Sequence, residues 1–325
     1  MPDIRVSAIG ALAKLGDESS LPLLLAAAAD ADQAVADTAR AAVTELEGDE
    51  VDAAVVEMLD GTESQAVVAA IAIASSRRIV SATPALLRLA DKKDTAIRRS
   101  AIEALGRTAT LDHLPGMIEL TIETLAFEDS ASVQKALKSA CVRMPQEPCA
   151  KELALAMSAA QPAARVVLLE QLAAVGGTTG LRSVVAAAKS DDDAMQDTAT
   201  RLLGQWLTAD AAPAMHDLSK TLTNGKYRTR ALRGYIRIAR QLNRTIDERM
   251  EVCRNALAIT DRNDERTLVL DVLRRHPSPA GLQLARPLLE NEELKDAAKS
   301  TIAAITGAVG TRDPEGLVGA PGLDE

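Results

Sequence analysis

Aromatic side chains are nearly absent from this 325-residue chain: Phe127, Trp206, Tyr227 and Tyr235 are all it has. A core cannot be built around rings, so it must come from Ala, Leu, Val and Ile. That palette is helical, because Ala and Leu are among the strongest helix formers. Histidine is as scarce. His113, His216 and His276 stand far apart, each near a turn, and His216-Asp217 is the only His–acid dipeptide. Paired-histidine and Cys–His spacings, a Gly-rich phosphate loop and a nucleophile elbow are all missing, so the sequence nominates no metal, no cofactor and no catalytic residue. Asp191-Asp192-Asp193 reads as a helix cap rather than a cation site.

Long apolar runs are missing too. The longest, residues 21–29 and 66–74, reach nine residues, against the roughly 20 that a bilayer-spanning helix needs, so no membrane span is expected. Positive charge is in deficit: the chain carries a net -9, which argues against general nucleic-acid binding, since phosphate contacts need clustered Lys and Arg. Met1-Pro2-Asp3 opens neither a charged nor an apolar leader. The expected location is cytoplasmic if Met1 is the native start, and extracytoplasmic if the chain is a fragment of a longer secreted protein.

What is present is a repeat. Ile97-Arg98-Arg99-Ser100-Ala101-Ile102-Glu103-Ala104-Leu105-Gly106 recurs in altered copies anchored at Ile4, Val35, Ala66, Ile97, Ser132, Ala164, Met195, Tyr227, Glu265 and Leu294. Spacings between anchors are 31, 31, 31, 35, 32, 31, 32, 38 and 29. Four residues on, the column reads Ala, Ala, Ala, Ala, Ala, Leu, Ala, Ala, Val, Ala; eight on, it is apolar throughout. Offsets of zero, four and eight share one helix face, and the small column marks close helix approach. Three before the anchor stand Asp32, Glu63, Asp94, Asp129, Gln161, Asp192, Asn224, Arg262 and Asn291, read as an N-cap column. Pro22, Pro84, Pro115 and Pro213 open a second helix, where a missing N–H costs little.

Each unit is therefore two antiparallel helices. The expected fold is all-α: a right-handed α-solenoid of stacked helix pairs covering residues 1–305, with ten repeats of about 31 residues. The first repeat is half complete, because residues 3–15 lack the partner helix that precedes every later copy. The expectation is that the chain is cut from a longer protein or that another domain precedes it. Residues 306–325 hold Gly307, Gly310, Gly316, Gly319, Gly322, Pro314 and Pro321 without an apolar period, and read as a flexible tail or linker.

The Pro column, the acidic turn residue Asp94 before Ile97-Arg98, and the Arg of Ile4-Arg5, Ile97-Arg98 and Ala164-Arg165 resemble HEAT repeats, particularly the short bacterial HEAT-like type of phycobilisome-lyase-related proteins. The resemblance covers roughly residues 3–305. It implies Asp–Arg interactions between neighbouring repeats and a concave surface lined by the repeated helix. Any such ladder would be interrupted at Val35-Ala36, Ala66-Val67 and Met195-Gln196. A fold of this kind serves many roles and does not name one.

The strongest local departure is residues 226–244, with seven positive residues and no acid. Lys226, Arg230, Arg233, Arg237, Arg240 and Arg244 follow steps of three and four, one stripe opposite the Ala231–Tyr235 face. Two readings stand. The stripe docks an acidic partner, a phosphate or a polyanion, or its arginines pair with the next repeat, where Asp264 and Asp271 occupy equivalent offsets. Tyr227, Tyr235 and Trp206 fall on core columns. Cys141 and Cys149 bracket the turn between two helices: either a disulfide, favouring an extracytoplasmic setting, or two reduced core thiols. Cys253 stands alone and is expected to be buried.

The function these features point to is a non-enzymatic scaffold that binds a protein or a fused domain, with an acidic surface, along its concave face. A polyanion binder centred on residues 226–244 and a lyase-like accessory subunit are the alternatives.

Overall fold

The computed structural model describes residues 2–15, 20–242 and 244–310, and among them finds helices and no strand. It parts into two compact units, residues 1–180 and 181–325. No helix among the described residues is long and apolar enough to cross a membrane.

Unit 1 opens on α1 (Pro2–Leu15) and continues in pairs: α2 (Leu21–Ala28) with α3 (Gln33–Glu45), α4 (Asp49–Met58) with α5 (Ser64–Arg77), α6 (Thr83–Leu89) with α7 (Thr95–Thr108), α8 (Leu114–Glu123) with α9 (Ser130–Cys141), and α10 (Gln146–Ala159) with α11 (Pro162–Val175). The odd-numbered helices carry the repeated motif and pack on one another in order, while α6, α8 and α10 form a second layer. Helix α12 (Gly177–Ala188) begins at the end of unit 1. Gly176 and Gly177, with φ of 74° and 72°, make the chain reversal before it, a conformation that costs a side chain dearly.

Unit 2 repeats the plan with α13 (Asp193–Gly204), α14 (Ala212–Thr221) with α15 (Gly225–Gln241), α16 (Ile246–Ile259) with α17 (Asn263–Arg275), and α18 (Pro279–Ala285) before α19 (Lys295–Gly310). Here α13, α15, α17 and α19 stack in sequence, and α14, α16 and α18 lie behind them. Helix α19 runs to Gly310, five residues into the segment expected to be a tail. Ile305 is fully buried against the preceding pair, and Gly307 near a helix end costs only about 1 kcal/mol. Residues 311–325 lie outside the described residues.

The repeat columns do the packing they were expected to do. Ala39, Ala70, Ala101, Ala199 and Ala298 are wholly buried, as are Val43, Ala74, Leu105 and Leu172 four positions later. A Cβ on Gly106 would stand 3.3 Å from the Ala136 Cα and carbonyl, so α7 and α9 touch nearly backbone to backbone. The first helix departs: Ile4 is 65% exposed and Ala8 is exposed, because no repeat packs against that face.

The prolines open α2, α6, α8 and α14 within their first turn. The cap column divides. Asp32, Asp94, Asp192, Asn224 and Asn291 accept backbone N–H groups one or two residues into the next turn, satisfying orphan donors. Glu63, Gln161 and Arg262 cap nothing with their side chains. Asp129 also caps nothing; its carboxylate is turned back to Arg98 Nε at 2.6 Å and Arg99 Nε at 3.2 Å in the preceding repeat. That is the inter-repeat Asp–Arg contact the family resemblance implies. Where the arginine is missing at Val67, Ser64 Oγ donates to Asp94 of the next repeat at 2.7 Å.

Helix C-termini reveal a second device. Arg77 donates to the carbonyls of Val43, Thr44 and Leu46. Arg143 donates to Gly106 and Ala109, and Arg249 to Ala239, Leu242 and Arg244. Each guanidinium satisfies orphan carbonyls at the negative end of a helix, usually one in the preceding repeat.

Candidate functional site

Helix α15 owes its length and its stripe to a sequence with arginine wherever the face turns outward. Tyr227, Ala231, Leu232, Tyr235, Ile236, Ile238 and Ala239 are buried on its other side. The structure places all six stripe residues on one side, and gives each a partner inside the protein.

Lys226 Nζ lies 2.6 Å from Asp197 Oδ1 on α13, and Arg230 Nη1 reaches the same oxygen at 3.3 Å and the Asp197 carbonyl at 2.9 Å. The Lys226 hydrogen bond, with Arg230 assisting, holds the Asp197 carboxyl below the ordinary carboxylate range against the opposing effect of burial. Arg233 donates to Glu265 at 2.8 Å and approaches Asp264 at 3.6 Å, both on α17. Arg237 donates to the Trp206 carbonyl just past the end of α13. Arg240 comes within 3.9 Å of Asp271, and Arg244 within 3.5 Å of Glu248.

Two partners anchor this network. Glu265 is fully buried, and its second oxygen accepts from Arg262 Nε at 2.9 Å. The anchor column, uncharged in every other copy, here holds a carboxylate clamped by arginines of two successive repeats. Charge-assisted hydrogen bonds on both oxygens are what make a buried carboxylate tolerable. Arg237 is the other. Burial, and then the neighbouring Arg240, lower its pKa, and its Nε has no partner in the protein. Its head group is spent as the C-terminal cap of α13, the same device as Arg77 and Arg143.

Sequence reasoning named Asp264 and Asp271 as pairing residues, and the structure brings both to the stripe. It missed Glu265, named only as a repeat anchor, and Asp197, which lies in the preceding repeat. Each stripe side chain thus has a partner within the protein. One recess remains in the stripe: Gly225, Lys226, Thr229, Arg230, Arg233 and Arg262 line about 420 Å³ at the start of α15.

Three of the four aromatics are core, while Phe127 is exposed. Trp206, Tyr227 and Tyr235 are each 5% exposed. Trp206 Nε1 donates to Thr208 and Asp210, and the Tyr235 ring stacks on His216 at 5.2 Å. Burial, then Lys220, pulls the His216 pKa down, keeping the ring neutral against its neighbour. Cys141 and Cys149, one of whose readings was a disulfide, are free thiols here, both buried. The neighbouring Cys149 and then burial push the Cys141 thiol far up. Burial alone pushes Cys253 up to about 12. Thiols so raised are poor nucleophiles at neutral pH. No group of three or more His, Cys, Asp or Glu placed to hold a metal occurs among the described residues.

A second recess opens on the repeated-helix layer of unit 1. Arg99, Ile102 and Arg107 of α7 and Ser132, Lys135 and Ser139 of α9 line about 340 Å³, with Gly106 and Ala136 at its base. Its lining mixes the apolar Ile102, Gly106 and Ala136 with the polar Ser132 and Ser139 and the charged Arg99, Glu103, Arg107 and Lys135.

Stacked antiparallel pairs with small-residue contacts and inter-repeat Asp–Arg links define an α-solenoid. More narrowly, the fold is HEAT-like. Kap121p bound to Nup53p is similar to 98% of this chain at 11% identity and a TM-score of 0.53, the match covering 42% of Kap121p. Importin beta is similar to 93% at 14% identity and a TM-score of 0.40, with 43% of that chain covered. The CpcE–CpcF phycocyanin lyase complex of Nostoc sp. PCC7120 is similar to 74% at 13% identity and a TM-score of 0.34, with 94% of that chain covered. This chain thus spans under half the length of the karyopherins it resembles. No protein-family profile matches the sequence, and no curated protein is similar to it by sequence.

Proposed function

We propose that this protein is a non-enzymatic repeat scaffold that binds a protein, or a domain of a longer chain, on the layer formed by its repeated helices. The observation that carries the reading is the recess between α7 and α9. It is a side-chain-sized hollow on that layer, with Ile102 beneath and Arg107, Lys135, Ser132 and Ser139 at its rim. A large apolar side chain fits such a floor while its flanking backbone meets the rim, the arrangement of a binding hot spot. The likeness to Kap121p, a HEAT-like fold seen holding Nup53p, supports a binding role by fold alone.

The test is a footprint. A protein captured on the immobilised chain is purified, and hydrogen exchange of the complex is compared with that of the free chain. Slowed exchange in α7 and α9 is the expected result. Protection confined to the partner-helix layer, or none at all, contradicts it.

One observation supports a narrower second reading. The cationic recess at the start of α15 offers Lys226, Arg230, Arg233, Arg262 and the Thr229 hydroxyl to an anion. An anion there competes with Asp197, Asp264 and Glu265, so binding would be weak and lost steeply with salt. Titration with inorganic phosphate, read on the Gly225 and Lys226 amide resonances, checks it; unmoved resonances dismiss it.

A further inference from the structure

The partner-helix layer of unit 1 carries a groove that none of the preceding features explains. It runs between α8 and α10 and encloses about 520 Å³. Pro115, Ile118, Ile122, Leu155 and Ala156 form its apolar wall, and Leu155 is 68% exposed although it is a large aliphatic side chain. Three carboxylates border it: Glu119 and Glu123 on α8, and Glu152 on α10. All three are exposed.

These glutamates differ from four acids that link successive repeats. Asp129, Asp197, Glu265 and Asp271 each have an arginine or lysine within ion-pair distance. Among the described residues no cation comes within that distance of Glu119, Glu123 or Glu152. Glu119 and Glu123 are moreover four residues apart on one helix face, where like charges repel. Glu152 adds a third negative charge from the facing helix. An apolar strip bordered by uncompensated negative charge is complementary to one kind of surface, an apolar ridge flanked by positive side chains.

Resting on the scaffold reading and adding a second contact surface to it, we infer that the α8–α10 groove docks a basic amphipathic segment of a protein partner. A large aliphatic side chain of that segment covers Leu155 and Ile122, and Lys or Arg side chains about one helical turn apart neutralise Glu119 and Glu123. The i,i+4 spacing of the two glutamates places their carboxylates about 6 Å apart along the helix, the pitch at which a helical ligand presents its own i,i+4 cations. The apolar floor supplies affinity, and the carboxylates select positive over negative partners and fix the register.

The experiment uses the whole chain and a fluorescent, roughly 14-residue Lys/Leu peptide with its leucines on one helical face, titrated by anisotropy at low and at physiological salt. A Lys/Ser peptide of equal charge is the comparison. The wild-type protein should hold the Lys/Leu peptide at both salt levels and the Lys/Ser peptide far more weakly. Glu119→Lys with Glu123→Lys should weaken Lys/Leu binding about tenfold, and Leu155→Ser about threefold, with the helical circular dichroism unchanged. The triple reversal Glu45→Lys, Glu47→Lys and Glu63→Lys, which changes net charge more but lies elsewhere in unit 1, should change affinity less than twofold. If the peptide binds the groove variants as well as the wild type, or the distant reversals cost as much, attraction is diffuse and the inference falls. A spared Lys/Ser peptide with a lost Leu155 effect likewise overturns it, since simple polycation binding would then suffice. A failure here with α7 and α9 still protected by a captured protein removes the groove alone; loss of both removes the scaffold reading as well.

Discussion

The arginine stripe of α15 and the glutamate-bordered groove of α8 and α10 are two charged departures from the repeat, and they are opposites in fate. The stripe is conspicuous in sequence, yet the structure uses up its charge: Asp197, Asp264, Glu265, Asp271, Glu248 and the Trp206 carbonyl take its six head groups. The groove is quiet in sequence, three glutamates among 46 acids, yet its charges are left without partners. Charge density along a helix therefore says little about docking in a stacked-repeat protein. What decides is whether the next repeat supplies the counter-charge. The charge held at the groove, by contrast, is negative.

The comparison breaks most readily at Glu265. Replacing Arg233 and Arg262 together by Ala leaves a fully buried carboxylate without its cations, and should cost about 3 kcal/mol of unfolding free energy. Adding Glu265→Leu, the residue type of the equivalent Leu294, should recover most of it. Denaturant unfolding of the three proteins measures both steps. A cost under about 1 kcal/mol would mean the stripe is a solvated face after all.

Arg237→Ala comes next. It uncovers the carbonyl end of α13 and removes a charge-assisted hydrogen bond, worth about 1–2 kcal/mol. Its effect should appear as faster amide exchange at the end of α13 and leave peptide binding untouched.

Asp129 gives the pH dependence a sign. The Arg98 hydrogen bond, helped by Arg99 and opposed by burial, holds its carboxyl below the usual range. A lowered folded-state value means folding favours the ionised form. That stabilisation is complete above the unfolded value near 4 and lost as the pH falls through the lower folded value. Asp129→Asn should make the loss of stability between about pH 5 and 3 shallower than in the wild type. Thermal unfolding across that range checks it.

The smallest effect sharpens the other side. Glu119→Gln with Glu123→Gln relieves an i,i+4 repulsion and should raise stability by roughly 0.2–0.5 kcal/mol. A loss instead would reveal a hidden partner for these carboxylates.

How much of this was legible follows from what repeats encode. The fold was: the Ala and Leu columns, the opening prolines and five of the caps are local or periodic, and they read directly as helix faces and starts. Asp129 was misread because capping and inter-repeat pairing ask for the same residue type, and only the distance to Arg98 separates them. Pairing across repeats is half legible. Arg233 and Asp264 sit one repeat apart and were matched, whereas Asp197 pairs backward along the chain and Glu265 occupies the anchor column, which is uncharged in every other copy. The tail boundary failed at Gly307 and Gly310, where tertiary burial of Ile305 outweighs local propensity. The groove was least legible, because the alignment ruler indexes the repeated helices. Glu119, Glu123 and Glu152 lie on their partners, where neither spacing nor composition marks them.

The central claim is that the arginines bind repeat to repeat and the glutamates reach outward. Its most direct test measures denaturant unfolding and Lys/Leu peptide affinity on the same two variants, Arg233→Ala with Arg237→Ala, and Glu119→Lys with Glu123→Lys. The account predicts that the arginine variant loses stability by about 2 kcal/mol or more and keeps its peptide affinity, while the glutamate variant keeps its stability and loses affinity about tenfold. An arginine variant as stable as the wild type, or a glutamate variant that binds as tightly, would contradict it.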